Sequence, residues 1–263
     1  MPEEFDTTIA EFDDSTGVGH LTLNRPDALN ALSDQLRTDI VAGLRWLADH
    51  NDDSIECRAV VMEGAEGNFC AGADINEFEE GPRRPSAARD HYRFIMDFPL
   101  PVIAKIRGYA LGGGLETAMA CDIRYGSEDA RVGLPEVDLG ILPGAGGVQF
   151  ISRLADPSIA KEVAMTGRHI PGEEAADMGI LTRAYPDDEL DTAVADLAAE
   201  IASKPPLSVQ AIKQSGNLAS QTGLREGIEW DRKAIEPLLG TEDHEKGARA
   251  FAEDDYEPEF KGR

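Results

Sequence analysis

The sequence predicts an α/β protein, with an alternating strand-and-helix core followed by a helical C-terminal part. Three observations carry this. Short apolar runs with strand character alternate with helix-spaced segments as far as about residue 185. From residue 190 onward every segment reads as helix. The length of 263 residues, 41% of them hydrophobic, suits one large domain or a core with a smaller appendage. The expected division is a core over 1–189 and a helical region over 190–263.

Residues 9–12 and 18–23 alternate as a hairpin around a turn at 13–17, and Asn24-Arg25-Pro26 breaks the second strand. Ser33 is the expected N-cap of a helix reaching about His50, with Leu36, Ile40, Leu44 and Leu47 on one face. Residues 59–62 read as a buried strand, and 69–75 as a small-residue turn entering a short helix. A mobile surface loop is expected at 81–85 and a helix at 86–98, stopped by Pro99 and Pro101. The apolar run 101–107 leads into a glycine turn, Gly112 to Gly114, and then a small-residue helix at 115–121 carrying one acid, Glu116. Short strands follow at 123–125 and 130–133, then two glycine-rich loops within 134–147 and a helix at 147–154. Pro157 opens another helix, 173–177 is a short helix, and 180–184 a strand. The C-terminal helices are expected at about 190–203, 207–218, 224–238 and 242–253.

Composition limits the function. Fifty acids against 25 bases give a net charge of −25, and only seven of the bases are lysine. Such self-repulsion is screened at high salt, so adaptation to a salt-rich cytoplasm is expected. Nucleic-acid binding through phosphates is disfavoured. No apolar run approaches the ~20 residues of a membrane span, and the acidic start MPEEFDTT lacks a signal-peptide core, so a cytoplasmic protein is expected. Cys57, Cys70 and Cys121 lack metal or disulfide spacing and read as buried free thiols. The five histidines are scattered, with surface roles expected and no metal site. There is no Walker-type loop, no dinucleotide GxGxxG with its acid, and no GxSxG elbow.

Ala71 and Gly113 each lie in a small-residue turn between a strand and a helix. Two backbone N–H groups facing one point form an oxyanion hole; two ordinary strand-to-helix turns are the alternative. Glu116, three residues after Gly113, is either a dipole-favoured acid at the start of its helix or a buried carboxylate with a chemical task. Glu136 lies between apolar Pro135 and Val137. Two carboxylates at one site divide acid and base work, or jointly hold a water. The spacing does not decide whether they meet.

At these stretches the chain resembles the enoyl-CoA hydratase/isomerase superfamily, the crotonases, over essentially its whole length. The matching segments, in family order, are Asn24-Arg-Pro-Asp-Ala-Leu-Asn-Ala-Leu32, Phe69-Cys-Ala-Gly-Ala-Asp-Ile75, Gly108-Tyr-Ala-Leu-Gly-Gly-Gly-Leu-Glu116, Cys121-Asp-Ile123, Pro135-Glu136, Gly140-Ile-Leu-Pro-Gly-Ala-Gly-Gly147 and Pro258-Glu-Phe-Lys-Gly262. The resemblance implies a crotonase-like spiral of repeated ββα units with C-terminal helices that pack a homotrimer, two of which stack as a hexamer. It implies an acyl-CoA substrate, coenzyme A being part of that substrate, with no separate cofactor. It places Ala71 and Gly113 as thioester-oxygen donors, and Glu116 and Glu136 as the acids of a hydratase. Arg25, Ala28, Ala71, Gly72, Ala73, Asp74, Ile75 and Gly112 fall where the family lines the substrate and coenzyme cleft. Phe260 and Lys261 match a segment that reaches a neighbouring subunit's coenzyme.

Keeping both acids favours hydration of a 2-enoyl-CoA over double-bond isomerisation or thioester hydrolysis. A non-catalytic RNA-binding relative is disfavoured by that pair and by the charge. The chain departs from the family at Thr117, where an apolar residue is usual, and at Val148 and Phe150, which replace a Thr and an Arg. Asp138, Glu253, Asp254 and Asp255 add acids near expected coenzyme contacts.

Overall fold

The computed structural model describes residues 1–51, 54–74, 76–77, 90–253 and 255–263. Ile75, the 81–85 loop, the first part of the 86–98 helix and Asp254 lie outside the described residues.

The strands are β1 (Glu3–Glu4), β2 (Thr8–Asp13), β3 (Val18–Leu23), β4 (Ala59–Gly64), β5 (Val102–Ile106), β6 (Tyr109–Leu111), β7 (Ile123–Ser127), β8 (Arg131–Gly133), β9 (Ile170–Pro171) and β10 (Arg183–Tyr185). The helices are α1 (Asp34–Ala48), α2 (His91–Asp97), α3 (Gly113–Ala120), α4 (Gly147–Leu154), α5 (Pro157–Thr166), α6 (Gly172–Asp177), α7 (Asp187–Ala202), α8 (Pro206–Ala219), α9 (Leu224–Leu238) and α10 (Glu242–Ala252).

One sheet runs in the order β1-β2-β3-β4-β5-β7-β10, antiparallel through β3 and parallel from there on. A second sheet, β6-β8-β9, receives the strand that follows each turn out of the first. Single bridges Leu32↔Ala73 and Cys70↔Ala110 extend this second layer backward along the chain. Each spiral turn thus adds one strand to the main sheet and one short pairing to the inner layer. Residues near 32, 72, 112 and 133 are stacked side by side as a result, which assembles the site.

The expected helical face of α1 is realised: Leu36, Ile40, Leu44 and Leu47 are fully buried, and the Ser33 hydroxyl accepts from the Leu36 N–H at 3.1 Å. The three thiols are buried and free; burial pushes Cys70 up to about 11 and Cys57 and Cys121 up to about 12.

The expected division at 189–190 lies within a helix. Residue 189 falls inside α7, and that helix buries Leu190, Val194, Ala198 and Ala202 against Val18, Val61, Ile103 and Tyr125 of the sheet. Its apolar stripe matches the sheet face, so α7 belongs to the core. The next helix, α8, is tied in by polar bonds. Lys213 is almost fully buried and bonds Asp122 at 2.8 Å and the carbonyls of Ile95 and Leu100 at 3.2 and 2.9 Å. Helix α9 has no buried residue. Among the described residues no helix is long and apolar enough to cross a membrane.

Candidate active site

The site forms where β6 ends and α3 begins. Gly112 takes φ +51°, a conformation suited to glycine. A Cβ there would stand 2.8 Å from Glu136 Oε1, so the missing side chain is what lets Glu136 approach. Gly114 packs its α-carbon against the Cys70 carbonyl, again with no room for a side chain. The Gly112 N–H donates to Gly133 O at 2.8 Å. The first amides of α3, beginning with Gly113, have no intrahelical partner, and no side chain caps them.

The second expected donor is corrected. The Ala71 N–H donates to Leu29 O at 3.0 Å, so it is committed to the turn that precedes α1. Bridge geometry explains this: Leu32 N–H donates to Gly72 O at 2.8 Å and Asp74 N–H to Leu32 O at 3.1 Å, which leaves the intervening Ala73 N–H outside the ladder. Among the described residues it has no partner. It also lies beside Gly113, 3.8 Å from where a Cβ on that glycine would sit. Among the described residues, Ala73 and Gly113 thus present two unpartnered amides side by side.

Glu116 is 3% exposed. Its Oε1 accepts from the amides of Ala145 and Gly147, both at 2.8 Å. From the first turn of α3 it thereby closes the start of α4. Burial raises its carboxyl above the ordinary range, and the two amides, with more distant Arg37, oppose that rise. Its Oε2 accepts no bond from a described residue. Glu136 stands on a 3-10 turn, Pro135–Leu139. Its Oε2 is buried without a hydrogen-bond partner. Burial, with a further push from the charge of Glu116, raises it to about 6. The two acids that are twenty residues apart in sequence do share one site.

Two further side chains were not singled out by sequence reasoning. Tyr92, on α2, places its hydroxyl 3.1 Å from a Cβ position on Gly113. Burial pushes that phenol well up, so it is a neutral donor. His91 is fully buried, against the expectation of a surface role, and its Nε2 lies 2.9 Å from the Thr117 hydroxyl. Thr117 in turn donates to Gly113 O at 2.9 Å. The departure from the family at Thr117 is thus absorbed by a polar link between α2 and α3. A hydroxyl on the buried face of α3 and a histidine at the start of α2 were the sequence signals for it.

Arg25 pairs with Asp74 at 2.9 Å and donates to Ala31 O as well. Its guanidinium holds the Asp74 carboxyl below the usual range. Ala28 lies in the half-buried 3-10 turn Pro26–Ala28. Leu29 and Asn30 follow with left-handed φ of 49° and 55°. The Asn30 amide pins this strained turn by donating to the carbonyls of Ala65 and Asn68. Phe260 and Lys261 are elsewhere in this chain. The Lys261 N–H donates to Asp243 at 2.9 Å, and the Phe260 carbonyl accepts from Arg58. Among the described residues no group of His, Cys, Asp and Glu could hold a metal ion.

The sequence profile described as Enoyl-CoA hydratase/isomerase matches residues 13–263. Two curated relatives are a 2,3-dehydroadipyl-CoA hydratase of Escherichia coli, 36% identical with 92% of this chain and 94% of the relative covered, and a short-chain-enoyl-CoA hydratase of Clostridium acetobutylicum, 36% identical with 94% and 95% covered. The crystal structure of an enoyl-CoA hydratase from Bacillus anthracis superposes with a TM-score of 0.82 at 32% identity, covering 100% of this chain and 99% of that one.

Proposed function

The chain belongs to the enoyl-CoA hydratase/isomerase family, and from that premise we propose that it adds water across the 2,3 double bond of a 2-enoyl-CoA, giving the 3-hydroxyacyl-CoA. The observation that carries this is the pairing of Glu116 and Glu136 at one site, each with a carboxylate oxygen that no described residue occupies. A water held between those oxygens has a proton acceptor on one side and a donor on the other.

In this reading the amides of Ala73 and Gly113 receive the thioester oxygen. They polarise the enoyl system and hold the enolate that forms; removing one such donor typically costs about 3 kcal/mol of transition-state stabilisation. Glu116, kept acceptor-competent by the amides of Ala145 and Gly147, takes a proton from the water as its oxygen bonds to C3. Glu136, the acid raised to about 6, delivers a proton to C2 as the enolate collapses. One proton is gained and one lost by the pair, and the pair titrates as a unit.

Arg25 and Asp74 fix the edge of the coenzyme cleft, along which Ala28, Gly72 and Ala73 lie. Assembly as a homotrimer or a hexamer belongs to the same reading. It gives the bare face of α9 a partner and carries the Phe260–Lys261 segment toward a neighbour's coenzyme. A cytoplasmic location and adaptation to salt complete it, the latter supported by the −25 charge.

The test is crotonyl-CoA with the purified protein at several molar KCl, following loss of the enoyl-thioester absorbance. Hydration is expected. Absence of hydration, with a 3-enoyl-CoA isomerised instead, overturns the assignment.

A further inference from the structure

Arg37 stands in the first turns of α1 and is half-buried. Its Nη2 donates to Leu32 O at 3.3 Å, and among the described residues no carboxylate pairs with it. Other guanidinium groups withdrawn from water show what a satisfied one looks like here. Arg124 donates to the carbonyls of Ile180 and Cys121 at 3.0 and 2.9 Å. Arg58 donates to those of Ile55, Ala202 and Phe260. Among the described residues Arg37 has one long bond and most of its donors unused. With 50 acidic residues in the chain, the missing partner is not a matter of supply.

Its position matters. The carbonyl that Arg37 touches belongs to Leu32, whose Cδ1 would lie 3.0 Å from a Cβ on Gly113, beside the reacting centre. The charge of Arg37 is felt by Glu116, Tyr92 and Cys70, all around that centre. The Tyr92 hydroxyl is a second donor on the same side. Arg25, by contrast, is already committed to Asp74 and to Ala31 O.

We propose that Arg37 is a specificity-determining residue whose anionic partner arrives with the substrate: a carboxylate at the far end of the acyl chain, so that 2-enoyl-CoA thioesters bearing a terminal carboxylate are preferred. A guanidinium matches a carboxylate in a planar, two-bond geometry. The coenzyme's phosphates are the other anions the substrate carries, and the probes separate the two sources. The inference rests on the acyl-CoA reading only in requiring that the acyl group enters past Gly113.

Adipoyl-CoA and hexanoyl-CoA share a coenzyme and a chain length and differ in the terminal carboxylate. Their binding to the full chain is measured by calorimetry at one fixed KCl concentration, for the wild type, Arg37→Met and Arg37→Lys. The wild type is expected to bind adipoyl-CoA about tenfold more tightly than hexanoyl-CoA. Arg37→Met removes that difference by weakening adipoyl-CoA alone, and Arg37→Lys keeps part of it. Equal binding of the two thioesters by the wild type overturns the proposal. So does an equal loss of both in Arg37→Met, which would assign Arg37 to the coenzyme phosphates or to propping Leu32. Binding needs no turnover: crotonyl-CoA hydration without carboxylate preference sinks this inference alone, and carboxylate preference without hydration of any enoyl-CoA sinks the reaction assignment alone.

Discussion

Glu116 and Gly147 are joined across thirty-one residues by a 2.8 Å bond from the amide of one to the carboxylate of the other. The carboxylate proposed as the proton acceptor also closes the start of the helix bearing Gly147. This joint role separates two substitutions. Glu116→Gln keeps an acceptor oxygen for Ala145 and Gly147, so folding stability should stay within about 1 kcal/mol, while hydration falls by about 10²–10⁴ through loss of the proton acceptor. Glu116→Ala leaves both amides unpaired in a buried place and should lose about 1–3 kcal/mol of stability as well. Chemical denaturation beside single-turnover kinetics reads both. Equal stability of the two variants would break the link to α4.

Glu136 makes stability depend on pH in a direction fixed by its shift. Its carboxyl rises from 4.5 to about 6 on folding, so the folded state holds more protons than the unfolded state between those values, and stability falls as pH rises through them. Glu136→Gln removes the titration. The thermal midpoint of that variant should therefore gain on the wild type from pH ~4.5 to ~6 and keep a constant lead above. A lead that is the same at both ends of the window would mean the shift is absent.

Gly112 tests the approach of the second acid. A Cβ at this position meets Glu136 Oε1 at 2.8 Å, on a backbone with positive φ. Gly112→Ala should push the carboxylate out of place and strain the turn by about 1–3 kcal/mol. The turnover number is expected to drop by more than tenfold with little change in coenzyme affinity, since the proposed coenzyme contacts lie on the Arg25–Asp74 side. A variant with normal turnover would show that Glu136 need not sit against this glycine.

Much of this arrangement is legible in the sequence. Leu36, Ile40, Leu44 and Leu47 declare the buried face of α1 by spacing, and Ser33 its start, because a helix is a local object whose signals lie within one or two turns. The illegible parts are those fixed by pairing between distant segments. Ala71 and Ala73 are the same residue type two positions apart; which N–H is free depends on the register against Leu29 and Leu32, which composition does not encode. Glu116 reads as a dipole-favoured acid or as a buried carboxylate with a chemical task, and its bonds to residues 145–147 are invisible until the spiral brings them alongside. His91 looks like any scattered histidine until Thr117 is found opposite it. The packing of α7 is hidden for the same reason: its stripe matches a sheet face as well as it would match another helix.

The net charge of −25 yields the last expectation. The acids with basic partners form local surface networks, such as Asp187 and Asp191 around Arg107 at 2.7 and 2.8 Å. Added salt weakens those attractions. It also screens the repulsion among the acids, which outnumber the bases 50 to 25, because the screening length shrinks from about 10 Å at 0.1 M to about 3 Å at 1 M. With two acids for every base, the repulsive sum is the larger, so the net effect of salt is stabilising. The thermal midpoint should climb by many degrees as KCl rises from ~0.1 M to several molar, most of the gain falling below ~1 M where the screening length changes fastest. Replacing exposed unpaired acids by glutamine should raise the low-salt midpoint and leave the high-salt midpoint nearly where it was. A midpoint that is flat or falling with KCl would mean that the paired networks outweigh the repulsion and that the acidity has another origin.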